Sequence, residues 1–101
     1  MGFAGNWECV SKSAFGDMTT IWYIKEENGV YSGISEAFGQ KTPFTSVELK
    51  DNKFVCKLTM EMNGMKMDMS MEGDYFPEKD IIVGASKSNM GATAFTGKRM
   101  A

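Results

Sequence analysis

Residues 54–72, FVCKLTMEMNGMKMDMSME, alternate apolar and polar side chains on both sides of an Asn63-Gly64 pair. Asn-Gly is the preferred centre of a two-residue type I′ turn, because both central residues there take positive φ. A period of two marks a strand with one buried face. The stretch therefore predicts a β-hairpin. With the turn at 63–64, one face sets Met62 against Met65, Met60 against Met67, Leu58 against Met69 and Cys56 against Met71. The other sets Glu61 against Lys66 and Thr59 against Asp68, with Lys57 diagonal to Asp68 and Glu72. A slip of one residue would turn every methionine to water, so the pattern specifies both register and interior.

The rest of the chain reads in the same way. Residues 6–12 alternate Trp7, Cys9 and Ser11 against Glu8, Val10 and Lys12, and form a first strand. Residues 18–27 and 30–37 flank Asn28-Gly29, a second type I′ signal, and pair Ile24 with Gly33, Trp22 with Ser35 and Tyr23 with Ile34. A single strand over 43–50 turns at Asp51-Asn52 and sets Leu49 against Phe54 and Val47 against Cys56. Strands over 80–87 and 92–100, joined by a turn at 89–91, complete the series. No segment sustains a 3.6-residue period, so no helix longer than a turn or two is expected. Residues 30–45 also echo residues 81–96 at an offset of 51, with Gly33, Ser35, Thr42, Phe44 and Thr45 falling on Gly84, Ser86, Thr93, Phe95 and Thr96. Eight short strands in successive hairpins close most economically as an all-β, antiparallel, up-and-down barrel, which leaves no free edge. The expectation is one domain over residues 1–101, its lumen just wide enough for side chains or one small ligand.

Composition narrows the function. A formal charge of −2 with interspersed signs gives no basic stripe for nucleic acid. No stretch is long and apolar enough for membrane insertion as a helix. Residues 1–8 lack the charged and apolar regions of a signal peptide, so a cytoplasmic protein is expected. Histidine is absent, which removes the commonest general base and metal ligand. No enzyme and no cofactor are expected.

Gly5-Asn6-Trp7 near the start and Lys98-Arg99 near the end resemble the signature of the calycin superfamily, the lipocalin and fatty-acid-binding-protein-like barrels. The order of GNW (5–7), KEENGVYSG (25–33), MEMNGMKMDMSMEG (60–73) and FTGKR (95–99) also resembles a bacterial domain of about a hundred residues with that plan. That domain occurs alone or appended to secreted hydrolases. The resemblance implies that Trp7 and Arg99 close one end of the barrel, the guanidinium lying across the indole.

Inward parity nominates Trp22, Tyr31, Phe54, Leu58, Met60, Met62, Met67 and Met69 as lining for a small hydrophobic or aromatic ligand. Methionine is flexible and polarizable, and is common on tolerant binding surfaces. Ligation of a soft metal by the thioethers is the lesser reading, because the pleat spreads them along two strands rather than around one point. Cys9 and Cys56 point inward from strands on opposite sides of the lumen, too far apart to bridge. Glu26, opposite Tyr31, belongs at a rim in solvent. Val10, Ile21, Tyr23 and Ile34 point outward on adjacent strands, and a contiguous outer apolar patch predicts a homodimer or docking to another domain. Two expectations result. The first is non-catalytic binding of a small apolar molecule in the lumen. The second is an interaction module with a filled lumen that acts through its outer patch.

Overall fold

The computed structural model describes residues 2–13, 16–37, 39–62, 64–88 and 91–100, with backbone alone at Ser13, Met60 and Met62. The strands are β1 (Gly5–Ser13), β2 (Gly16–Glu27), β3 (Val30–Ala37), β4 (Gln40–Pro43), β5 (Ser46–Lys50), β6 (Lys53–Met62), β7 (Met65–Phe76), β8 (Ile81–Ser88) and β9 (Gly91–Arg99). All pairings are antiparallel, and β1 pairs with both β2 and β9, so the sheet closes on itself. No helix occurs among the described residues.

β4 and β5 together form one of eight staves, giving a closed eight-stranded barrel. The single strand expected over 43–50 is broken at Phe44 and Thr45. Phe44 N–H donates to the Gly33 carbonyl of β3 at 2.9 Å, whereas Thr45 N–H donates to the Lys57 carbonyl of β6 at 2.7 Å. The chain thus passes from one neighbour to the other at that step. β4 pairs with β3, β5 pairs mainly with β6, and only Tyr31↔Val47 joins β3 to β5.

The central hairpin has the expected register from Met62↔Met65 to Cys56↔Met71 on one face, with Glu61↔Lys66 and Thr59↔Asp68 on the other. The second partner of its Asn-Gly pair, Gly64, has φ 77°; Asn63 lies outside the described residues, as does Asn89 of the last hairpin. Asn28 and Gly29 have φ 53° and 80°, and Asp51 and Asn52 have 53° and 62°, the positive values that type I′ turns require.

The two ends of the barrel differ. At the end holding the 28–29 and 51–52 turns, Phe3 enters from the segment before β1 and is fully buried. Its ring lies 5.5 Å from Phe54, 5.8 Å from Tyr31 and Tyr75, and 6.0 Å from Trp7. The Trp7 indole N–H donates to the Phe3 carbonyl at 2.9 Å, which holds this plug in place. Arg99 covers it. Its guanidinium carbon lies 4.5 Å from the Trp7 ring centroid, Nη1 and Nη2 donate to the carbonyls of Ala4 and Gly2 at 2.8 and 2.6 Å, and Nε donates to Asp80 at 3.1 Å. The opposite end, where β3 gives way to β4 and β6 to β7, carries no such plug among the described residues.

Candidate binding cavity

A cavity of about 120 Å³ occupies the unplugged half of the lumen and opens at that end. Its floor is Trp22, which Phe44 meets edge-on at 5.5 Å and Phe95 meets at 5.3 Å. Leu58, Met69 and Met71 from β6 and β7 and Met18 from β2 supply the remaining large apolar wall. Ser11, Thr20, Ser35, Thr42 and Ser86 add hydroxyl groups, and Cys9, Ala37 and Gln40 complete the lining. Among the described residues, no carboxylate and no cationic side chain reaches this wall.

Strand parity explains the assembly. Ser11 pairs with Met18, Cys9 with Thr20, Trp22 with Ser35 and Ser35 with Thr42, so each neighbouring strand turns its lining residue to the same side. Leu58 and Met69 likewise face inward as a pair. The internal echo belongs to this interior as well. Gly33, Ser35, Thr42 and Phe44 of β3, β4 and the step after β4 have inward counterparts in Gly84, Ser86, Thr93 and Phe95 of β8 and β9.

Of the residues expected to line a ligand site, Trp22, Leu58 and Met69 border this cavity. Tyr31 and Phe54 pack around Phe3 in the plugged half. Met67 is half-buried on β7 nearer the tip and outside the lining, and the side chains of Met60 and Met62 lie outside the described residues. The hydroxyl groups were not anticipated. Their signal was present in the pairing of Ser35 with Trp22 and in the serine and threonine of the echo, but polar residues at inward positions do not stand out in a search for apolar periodicity.

Cys9 and Cys56 are both free and buried. Burial raises both thiol pKa values, that of Cys56 to about 12, and the charges of Cys56 and Glu8 add to the rise at Cys9. Both thiols are protonated at neutral pH and poor nucleophiles. Among the described residues, no cluster of three or more cysteine or acidic side chains is placed to hold a metal ion. Glu26 is exposed on the edge opposite Tyr31, whose pKa is raised by burial and then by Glu26.

On the outer surface, Tyr23 pairs with Ile34 and Ile34 with Pro43, an apolar row across β2, β3 and β4. The adjacent row is Glu8, Ile21, Glu36 and Lys41. The Tyr23 hydroxyl donates to Glu36 at 2.8 Å, which raises the phenol pKa, and Lys41 Nζ stands 5.7 Å from the Tyr23 ring. Val10 lies apart from this row, paired with Thr19 and Thr96, so charges and threonines divide the expected patch.

No helix among the described residues is long and apolar enough to cross a membrane. No protein-family model matches the chain, and no curated protein matches it.

Proposed function

We propose that this protein is a non-catalytic carrier or sensor barrel that binds one small hydrophobic or aromatic molecule in the open half of its lumen. The observation that carries the reading is the 120 Å³ cavity floored by Trp22 and walled by Leu58, Phe95 and thioethers. An apolar cavity of about 150 Å³ admits benzene, and this one is of comparable size, which favours a molecule of about one ring. Among the described residues the wall carries no carboxylate, and this and the protonated thiols favour binding over turnover. The Trp7–Arg99 closure supports the calycin-like resemblance, and two free buried thiols suit a reducing, cytoplasmic setting.

The test is titration with benzene, followed by the methyl resonances of isotope-labelled methionine and by tryptophan emission. Met18, Met69 and Met71 shift and Trp22 emission changes, whereas Met65, 74 % exposed on the hairpin tip, stays in place. Unmoved cavity methyls at saturating benzene would overturn the reading.

A second reading rests on the outer row of Tyr23, Ile34 and Pro43, where Ile34 is 37 % exposed. It makes this face a homodimer contact.

A further inference from the structure

We infer that the cavity takes an uncharged, single-ring-sized molecule with a hydrogen-bonding group at each end, held between Ser35 and Ser86. This rests on the binding reading above and names the ligand class for that site.

Two observations and the geometry expected of an eight-stranded barrel converge. The first is the absence of charge. Among the described residues the lining holds neither an acid nor a base. An ionised carboxylate or ammonium placed there loses its hydration without gaining a counter-charge. Hydroxyl groups, in contrast, both donate and accept, and suit a phenol, alcohol, amide or carbonyl.

The second is symmetry. Around the ring of eight staves β3 and β8 stand four places apart, on opposite walls. Ser35 lies on β3 and Ser86 on β8, and the echo at offset 51 makes them equivalent positions of the two halves. Both line the one cavity. Ser35 neighbours Trp22 and Thr42 on its wall, and Ser86 neighbours Met71 and Thr93 on the other. The repeat therefore presents a polar group to each end of a ligand, with Trp22, Leu58 and Met69 against its faces.

The third is span. Eight strands about 4.8 Å apart and tilted by roughly 40° close at a diameter of about 16 Å. A serine hydroxyl reaches about 2.4 Å from its Cα, so two opposed serines leave about 11 Å between oxygens. A benzene ring with oxygens at positions 1 and 4 is about 5.5 Å across, and two hydrogen bonds of about 2.8 Å bring the total to roughly 11 Å. A 1,3-arrangement aims one oxygen away from the opposed wall.

Calorimetric titration under anaerobic conditions with benzene, phenol, benzene-1,4-diol, benzene-1,3-diol and 4-hydroxybenzoate tests this. Each added hydrogen bond is expected to strengthen binding roughly three- to tenfold. The order is therefore benzene, then phenol, then the 1,4-diol as the tightest, with the 1,3-diol no better than phenol and the benzoate not bound. Ser35→Ala and Ser86→Ala each remove the advantage of the 1,4-diol over phenol, and far-UV circular dichroism unchanged from the wild type shows that the variants fold. Benzene binding with no gain for the diols, equal affinity of the two diols, or binding of the benzoate overturns the inference and leaves the binding reading standing. Failure of every probe overturns both.

Discussion

A β-carbon on Gly84 would overlap the Glu72 carbonyl, and one on the facing Gly73 would overlap the Val83 carbonyl. β7 and β8 approach too closely at this pair for any side chain. Gly84→Ala is expected to lower unfolding free energy by about 1–3 kcal/mol through the backbone shift it forces. Urea denaturation reads this, and an unchanged midpoint refutes the close approach. At this scale the sequence was partly legible. Trp7 and Arg99 were paired by their resemblance to a known closure, but the carbonyls of Gly2 and Ala4 that complete the arginine's bonds carry no side-chain signal. Phe3 was missed for a similar reason: it precedes the first strand and belongs to no alternating pattern.

Among the elements, the 54–72 hairpin was the most legible, because a positive-φ turn and a strict period of two constrain it independently. The break between β4 and β5 leaves only a faint mark in the sequence. Inward Thr42 and Phe44 are even-numbered whereas inward Val47 and Leu49 are odd-numbered, so the period of two slips by one residue at this step, where the backbone bonds of Phe44 and Thr45 diverge. It has a dynamic consequence. Among the described residues β4 pairs with β3 alone, whereas β8 is paired along its length by β7 and β9. Amides exchange fastest where local opening costs least. Hydrogen exchange is therefore expected to be at least tenfold faster at the least protected β4 amide than at the mid-strand amides of β8. Equal protection would mean that β4 is held by a second partner.

For the whole molecule, the open question set by the sequence was whether the large inward side chains leave space. They divide it. Phe3, Trp7, Tyr31, Phe54 and Tyr75 fill one half, and smaller serine, threonine and alanine residues hold the other half open. The outer face bears on assembly. If the Tyr23–Ile34–Pro43 row joins two copies, Tyr23→Glu places a carboxylate beside Glu36 within that contact and breaks it. Light scattering would then fall from the mass of two chains to one, of 11.2 kDa; a wild-type mass already equal to one chain removes the dimer reading.

Outside the β4–β5 step, the sequence by itself determined the strands, their pairing partners and the face each turns inward, because a two-residue period and type I′ turn chemistry are local properties. The internal repeat, read from residue identities alone, falls on two hairpins of matching register, with Ser35 opposite Thr42 in one and Ser86 opposite Thr93 in the other. Only the tertiary structure decided that the lumen is half plugged and half open, and that Ser35 and Ser86 meet one cavity from opposite walls. Those features depend on where the ring closes and on which level each side chain occupies. Alternation along a strand tells inside from outside, but not which inward residues reach the same cavity.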